Sequence, residues 1–209
     1  MEKVNKWNTN KGFPILEMGI GINTGEVILG NMGSEKSMKY GIIGSEVNLC
    51  SRIESYTVGG QVLISPKTRD QINYELEIRK EMTVYPKGTN EEVTILHVTG
   101  IGEPYNIHIS VSDNKMQKLE KPIPVGFHRL DGKHELEKIL YGGITAVSRE
   151  GAMFETDTEL AAFENIRIEA GGKLFCKILD KSGSCYTLQY TSIPVGYDNW
   201  LNESKGRNR

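Results

Sequence analysis

The sequence predicts an α+β domain followed by a small antiparallel β-barrel. Apolar residues of the first half recur in short alternating runs, which are typical of strands, and two stretches between them carry helical signals. After Ser110 the chain becomes polar and charged, and beyond Pro122 the helical signal nearly vanishes. The remaining residues form short strand-like runs separated by turn residues, a pattern typical of a small antiparallel barrel.

The first domain opens with strand-like runs. Ile20 and Ile22 alternate with glycines, and the Asn23-Thr24-Gly25 turn leads to a second apolar run. Strands are predicted over residues 18–22, 27–29, 40–43, 62–64, 76–85 and 93–98.

Two helices are predicted among these strands. Ser45 can cap the free N–H groups at the start of the first helix. The apolar stripe of that helix consists of Val47, Cys50 and Ile53. Pro66 stands where a second helix, over residues 67–74, can begin. Together these elements predict a mixed sheet with two helices.

Changes in composition predict the domain boundaries. Residues 1–110 form the α+β domain, 111–121 a polar linker, 122–200 the barrel and 201–209 a frayed polar tail. Within the barrel, the turn at residues 181–184 lies between two apolar runs and predicts a hairpin.

Charge and hydrophobicity exclude two classes of partner. The 25 Lys and Arg residues against 27 Asp and Glu give a net charge of −2, so the usual electrostatic attraction to nucleic acid is missing and no nucleic-acid partner is expected. No apolar run reaches the ~18 residues of a membrane span, and the polar N-terminus lacks a signal-peptide hydrophobic stretch. The sequence therefore predicts a cytoplasmic protein without a membrane segment.

Several common site patterns are incomplete. Gly19 and Gly21 followed by Gly25 resemble a dinucleotide fingerprint, but the third glycine is one residue too far along and no helix follows, so the pattern is interpreted as a glycine-rich strand. The four histidines are scattered away from the three cysteines, and a zinc site is not expected. Cys176 and Cys185 flank one hairpin and could touch, but they are interpreted as packing residues.

The segment from Gly19 to Ser65 is the most informative part of the sequence. It reads GIGINTGEVILGNMGSEKSMKYGIIGSEVNLCSRIESYTVGGQVLIS and closely resembles the C-terminal half of class III adenylate/guanylate cyclase catalytic domains. Weaker similarity continues to Ser110. The resemblance implies that residues 1–110 form a partial ferredoxin-like cyclase domain.

The resemblance implies a reaction and two catalytic residues. Cyclases of this family are lyases that join the ribose 3′-hydroxyl of ATP or GTP to its own α-phosphate and expel pyrophosphate. By resemblance, Asn48 orients the ribose and Arg52 contacts the α-phosphate in the transition state. The two residues are four apart on a predicted helix and therefore share one face. Without the resemblance, such a pair is usually part of a solvated surface.

The resemblance also implies two substrate-binding positions. Lys87, in a Pro-Lys-Gly turn, matches the lysine that holds the terminal phosphates. Gly41 matches a base-selecting position where the family has Asp, Thr or Cys. Because glycine carries no side chain there, the sequence does not choose between adenine and guanine.

The resemblance covers only the second half of the family domain. The family uses Mg²⁺ or Mn²⁺, and the aspartates that bind these ions belong to the half that is not matched, so no metal ligand is assigned to this chain. Family active sites form between two cyclase domains, so a second cyclase domain or a homodimer is the expected partner. The chain alone is expected to be inactive.

The second half resembles the small PilZ-like barrel that follows the cyclase domain in some bacterial cyclases. PilZ domains hold cyclic di-GMP with an RxxxR motif and a D/N-x-S-x-x-G turn. The corresponding turn here keeps Ser148 and Gly151 but begins with Ala146, and the arginine pair is reduced to Arg129 and Lys133. Each lost hydrogen bond costs about 1–3 kcal/mol, so cyclic di-GMP is not an expected ligand.

Two functions from different classes stay open on the sequence. The first is the C-terminal part of a bacterial class III nucleotide cyclase that works in cyclic-nucleotide signalling and carries an Asn/Arg half-site. The second is a noncatalytic module that docks on a complete cyclase. The feature that separates the two functions is the half of the cyclase domain that carries the metal-binding aspartates, which is not matched in this sequence.

Overall fold

A computed structural model describes residues 2–11, 18–34, 36–85, 92–109, 115–132 and 134–207. The chain forms two compact units, an N-terminal unit (Met1–Val111) and a C-terminal unit (Ser112–Arg209). None of the helices in these described ranges is long and apolar enough to cross a membrane.

The described residues of the N-terminal unit form three helices and seven strands. In chain order they are α1 (Glu2–Asn10), β1 (Ile20–Ile22), β2 (Ile28–Ser34), β3 (Ser37–Ile43), α2 (Ser45–Ser55), β4 (Val62–Ile64), α3 (Pro66–Asp70), β5 (Leu76–Val84), β6 (Val93–Ile101) and β7 (Ile107–His108).

The sheet of this unit is mixed, as predicted. Its strand order is β1-β4-β6-β5, and β7 adds to β6. Strands β1 and β4 run parallel, whereas β6 is antiparallel to β4, β5 and β7. Strands β2 and β3 form a separate hairpin from Ile28↔Ile43 to Ser34↔Ser37. The predicted α+β fold class is confirmed.

The core of the N-terminal unit lies between its sheet and the two central helices. Ile53 of α2, Leu63 of β4 and Ile95 of β6 are fully buried. A second cluster consists of Ile64, Leu96 and Val98, and Ile72, which follows α3, and Leu76 of β5 pack against it. Burial of these side chains holds α2 and α3 against the sheet.

Helix α3 is shorter than the sequence predicts. Ser65 caps its start by accepting a hydrogen bond from the Thr68 backbone N–H at 3.2 Å. The helix ends at Asp70, because the N–H groups of Gln71 and Ile72 turn back to the carbonyls of Thr68 and Arg69 at 3.2 and 3.0 Å. Such short-range bonds tighten and close the last helical turn.

In the described part of the C-terminal unit there are seven strands and one helix. In chain order they are β8 (Gln117–Asp131), β9 (His134–Glu135), β10 (Leu140–Val147), β11 (Gly151–Glu155), β12 (Asn165–Glu169), β13 (Lys173–Ser182), β14 (Cys185–Ser192) and α4 (Tyr197–Arg207). Strand β8 starts at Gln117, inside the segment that the sequence predicts as a linker.

Six of these strands close into an antiparallel barrel, as predicted. The order around the barrel is β8-β10-β11-β14-β13-β12, and β12 pairs again with β8. Short β9 pairs with the end of β8. Alternate side chains fill the interior, where Phe127 and Phe154 meet edge to face with ring centroids 5.2 Å apart.

Helix α4 covers residues that the sequence assigns to a frayed tail. Tyr197 is buried, its hydroxyl lies 2.6 Å from that of Tyr190, and its ring stacks on Trp200. Trp200 and Leu201 pack against the barrel core. These apolar anchors order residues 201–207 as a helix, because burial offsets the polar character of the segment.

The two barrel cysteines do not touch. Cys176 pairs in register with Tyr190, whereas Cys185 pairs with Ser182 at the other end of the hairpin. Both cysteines are free thiols. Burial raises the pKa of the Cys176 thiol, which keeps it neutral. Cys176 is part of the barrel core, as expected for a packing residue.

Candidate functional site

Helix α2 lies directly on strand β1 because glycines occupy position 21 in β1 and position 19 just before it. A Cβ atom at position 21 would lie 2.4 Å from the Glu54 backbone nitrogen, and one at position 19 would lie 1.9 Å from the Thr57 hydroxyl. The Cys50 thiol donates to the Gly21 carbonyl at 3.5 Å. The glycine pattern therefore provides close helix–strand packing, in keeping with its interpretation as a glycine-rich strand.

Asn48 and Arg52 lie one turn apart on α2. Asn48 is exposed and Arg52 is half-buried. Within the part of the chain that the structure describes, neither side chain has a hydrogen-bond or ion-pair partner. An amide and a guanidinium on one helical face, both available to a ligand, can together bind hydroxyl and phosphate oxygens.

The first turn of α2 is tied to two other elements through Glu46. The Asn23 side-chain amide donates to Glu46 Oε2 at 2.8 Å and to the Glu46 carbonyl at 3.0 Å. The Lys67 ammonium donates to Glu46 Oε1 at 3.0 Å. These donors, Asn23 first, hold the pKa of Glu46 below its ordinary value. The carboxylate therefore stays ionised at neutral pH.

An open groove borders this end of α2. Its volume is about 590 Å³, which is within the size range of small-ligand sites. It is lined by the end of the β1–β2 connection and the start of β2, by the end of β3 and the first turn of α2, and by α3: Glu26, Val27, Ile28, Ile43, Gly44, Ser45, Glu46 and Lys67. Its charged lining contains two carboxylates and one ammonium.

Gly41 lies on β3, directly opposite Gly30 of β2. A Cβ atom at position 41 would approach the terminal methyl of Met32 to 2.7 Å. Because that methyl is the end of a flexible side chain, Met32 can move and admit a larger residue at position 41. Lys87 lies outside the described residues.

Carboxylates that could bind Mg²⁺ or Mn²⁺ are not grouped in the described ranges. No set of three or more His, Cys, Asp or Glu residues there is arranged to hold a metal ion. Near α2, both oxygens of Glu46 already accept hydrogen bonds from Asn23 and Lys67. The described residues therefore do not fit the family's metal ions, and no chemical step is assigned to a metal on this chain.

The N-terminal unit exposes apolar side chains on β1 and on the β2–β3 hairpin. Ile28 is 69% exposed and Ile42 is 51% exposed, while Ile20 and Ile22 on β1 are also exposed. Among the described strands, β1 pairs with β4 alone, so one of its edges has no strand partner. Exposed apolar side chains beside a free edge are features of surfaces that associate.

Self-association of the 209-residue chain is the expected result of this exposure. Light scattering should give a mass above that of one chain, rising with concentration. The double variant Ile28→Lys/Ile42→Lys should lower that mass, since charge replaces apolar contact area. Tyr141→Lys is the control, because Tyr141 is at least as exposed as the two isoleucines but lies on the barrel. A monomer at high concentration, or an equal effect of both variants, would contradict the expectation.

In the C-terminal unit, the two candidate ligand-binding motifs make contacts within the protein. The Ser148 hydroxyl accepts from the N–H of Gly151 at 3.0 Å and of Glu150 at 3.3 Å, which closes the turn. The Arg129 guanidinium forms a two-point ion pair with Glu164. Lys133 lies outside the described residues. That the barrel does not bind cyclic di-GMP stays a prediction.

The contacts around Glu46 are not among those that the sequence predicts. Its partners Asn23 and Lys67 are 23 and 21 residues away along the chain. A charged residue in the first turn of a helix is common and gives no signal of a specific partner.

The first half of the chain matches a known protein family. Residues 1–99 match the model of the adenylate and guanylate cyclase catalytic domain. The chain is 37% identical over 91 residues to "Adenylate cyclase, terminal-differentiation specific" of Dictyostelium discoideum. This match covers 41% of this chain and 4% of that protein. The chain is 28% identical over 108 residues to "Adenylate cyclase 1" of Rhizobium meliloti (strain 1021), covering 51% of this chain and 16% of that protein. The chain thus spans a small part of either relative.

Two solved structures resemble parts of the chain. The crystal structure of the guanylyl cyclase Cya2 shares 50% sequence identity, covers 52% of this chain and 55% of its own, and has a TM-score of 0.49. The PilZ domain of CeSA from a cellulose-synthesizing bacterium shares 17% identity, covers 44% of this chain and 99% of its own, and has a TM-score of 0.31.

Proposed function

Residues 1–99 belong to the adenylate and guanylate cyclase catalytic-domain family, and from this premise we propose that the N-terminal unit supplies the Asn48–Arg52 half of a nucleotide-cyclase active site. The substrate is ATP or GTP, and the products are a 3′,5′-cyclic nucleotide and pyrophosphate. The second half of the site comes from another cyclase domain. The observation that carries the proposal is the pair itself, one turn apart on a helix that packs on β1, with no hydrogen-bond or ion-pair partner for either side chain among the described residues.

The chemistry explains why an amide and a guanidinium suit these positions. Attack of the ribose 3′-hydroxyl on the α-phosphorus places charge on the α-phosphoryl oxygens while pyrophosphate leaves. The planar guanidinium of Arg52 can bind two of those oxygens at once. The Asn48 amide can hydrogen-bond the ribose and hold its hydroxyl in line for attack. Both groups act from one helix, so the protein fixes their separation before substrate binds.

Two substrate contacts complete the proposal. Lys87 binds the terminal phosphates, a point-charge role that suits an ammonium. Position 41 lies next to the base, where glycine leaves space and contributes no side-chain hydrogen bond. The family's Mg²⁺ or Mn²⁺ would be bound by groups other than the described residues.

A noncatalytic docking module is the second candidate function. The apolar side chains on β1 and the β2–β3 hairpin favour it, because they could bind a complete cyclase whether or not Arg52 takes part in catalysis. Binding to a partner is therefore common to both candidates. Dependence of turnover on Arg52 belongs to the enzymatic candidate alone.

The 209-residue chain by itself is expected to form no cyclic nucleotide from ATP or GTP. The reason is that the described residues hold one side of the proposed site and offer no metal-binding group. Incubation with Mn²⁺ and each nucleotide, followed by chromatography, measures this. Cyclic product that disappears in the Arg52→Ala variant would show that the chain contains a complete site and would contradict the half-site proposal.

A further inference from the structure

Three segments meet at the N-terminal turn of α2 and form what we call the Glu46 clamp, defined by Asn23, Glu46 and Lys67. Asn23 follows β1, Glu46 is in the first turn of α2, and Lys67 is in the first turn of α3. The two carboxylate oxygens of Glu46 accept from different donors, at 2.8 Å from Asn23 and 3.0 Å from Lys67. Both oxygens therefore hold the helix to its neighbours.

The Glu46 side chain packs closely against the β1–β2 connection. The Glu46 side chain is 19% exposed, whereas that of Lys67 is 65% exposed. A Cβ atom at position 25 would lie 2.4 Å from Glu46 Cγ, so Gly25 gives the Glu46 side chain its space. Beside the clamp, the hydroxyls of Thr24 and Thr68 lie 3.1 Å apart and join the same two segments, the β1–β2 connection and α3.

The contact between α2 and β1 explains why such a clamp is needed. Gly21 of β1 faces Glu54 of α2, and Gly19, just before β1, faces Thr57, just after α2; neither glycine has a side chain that could interlock with the helical segment. A helix on a smooth strand is held against it but is less restrained from sliding or tilting along it. Polar contacts at its ends then set its position. Asn48 is two residues after Glu46, so any tilt of the first turn moves the Asn48 amide directly.

We propose that Glu46 is a positioning residue: by binding Asn23 and Lys67 through its two carboxylate oxygens, it fixes the first turn of α2 and thereby the direction in which Asn48 and Arg52 face. The inference rests on the proposed function of that pair. Glu46 does not contact substrate in this account, because both of its oxygens have protein donors. Its contribution to catalysis is geometric, and a displacement of about 1 Å in a catalytic group can lower a rate by about 100-fold.

A contribution of this kind differs from ordinary stabilisation. Ion pairs with an exposed partner, such as Lys67, add little to the free energy of unfolding. Removal of the Glu46 side chain should therefore lower kcat far more than it lowers the melting temperature. It should leave KM almost unchanged, since Lys87, which is proposed to hold the terminal phosphates, lies on another segment.

The experiment compares the wild-type chain with Glu46→Ala, Glu46→Gln and Lys67→Ala, each added to a cyclase subunit that keeps its metal-binding aspartates but lacks its own Asn/Arg pair. Glu46→Ala is expected to lower kcat at least tenfold with KM within about twofold. Glu46→Gln should recover most of that loss, because its amide oxygen can still accept from Asn23. Lys67→Ala removes one donor but leaves both hydrogen bonds from Asn23, so it should lower kcat in the same direction as Glu46→Ala and by less.

A second measurement needs no catalytic activity. Hydrogen exchange of the 209-residue chain should show α2 amides exchanging about tenfold faster in Glu46→Ala than in the wild type. Amides of the barrel should be unchanged and serve as the internal control. Glu46→Gln should give α2 exchange close to that of the wild type, which keeps the test valid if the alanine variant unfolds.

The outcomes distinguish this inference from the proposed function. If the wild-type chain restores no turnover, the proposed function fails, while hydrogen exchange still tests the clamp. If the wild type restores turnover and Glu46→Ala has the same kcat, the positioning role is overturned. A fall in kcat that the glutamine variant shares in full, or exchange that rises uniformly through the N-terminal unit, also overturns it.

Discussion

Arg52→Ala is expected to lower the kcat of a complemented cyclase by about 100- to 1,000-fold, with KM little changed. The complemented enzyme consists of this chain and a partner subunit that has lost its own Asn/Arg pair. The reason for the asymmetry is that the α-phosphoryl oxygens gain charge only as the reaction proceeds. A group that meets charge in the transition state alone affects kcat rather than substrate binding.

Two variants serve as controls for that expectation. Arg52→Lys keeps the positive charge but loses the planar fork, so its kcat should lie between those of the wild type and Arg52→Ala. Lys87→Ala should mainly raise KM, because the terminal phosphates are charged in the ground state as well. Steady-state kinetics with ATP and GTP separate the two parameters. Equal kcat for wild type and Arg52→Ala would remove the catalytic role of Arg52.

Gly21→Ala is expected to displace α2 from β1 and to abolish complementation. The added methyl would lie 2.4 Å from the Glu54 backbone nitrogen and 2.6 Å from its Cα, so backbone rather than a flexible side chain must move. Overpacking of this kind typically costs about 1–3 kcal/mol and occasionally more. The N-terminal unit should unfold at a clearly lower temperature, which calorimetry can measure.

Gly30→Ala is the matched control for this substitution. Gly30 is also a strand glycine of the N-terminal unit, but a Cβ there would meet no atom within 4 Å. Its variant should melt and complement like the wild type. Equal melting temperatures for Gly21→Ala and the wild type would show that α2 does not depend on the glycine surface of β1.

The fold could be predicted because its elements depend on local patterns. Alternation of Ile20 and Ile22 with glycines matches β1, and the stripe that includes Ile53 matches α2. The order of an α+β unit before a barrel follows from the loss of helical signal after Pro122. That residues 201–207 are helical could not be predicted, because α4 is held by tertiary packing of Tyr197 and Trp200 against the barrel core, which local sequence patterns do not show.

The candidate site could likewise be predicted only where it depends on local sequence patterns. That Asn48 and Arg52 share a face follows from a spacing of four residues on a helix, which the sequence shows directly. The Glu46 clamp could not be predicted, because it joins side chains from three segments through tertiary hydrogen bonds. Nearness in sequence left open whether Cys176 and Cys185 touch, and the register of the hairpin, which places them at opposite ends, decides that they do not.

The central claim, that α2 completes an active site with a second cyclase domain, is tested most directly by titrating this chain into a partner subunit that lacks its own Asn/Arg pair. The measured quantity is the rate of cyclic-nucleotide formation, with binding followed in parallel. The wild-type chain should raise the rate until the partner is saturated. The Arg52→Ala chain should bind equally well, but the rate at saturation should be at least about 100-fold lower. Equal binding of both chains with no increase in rate from either would contradict the claim and leave the docking module.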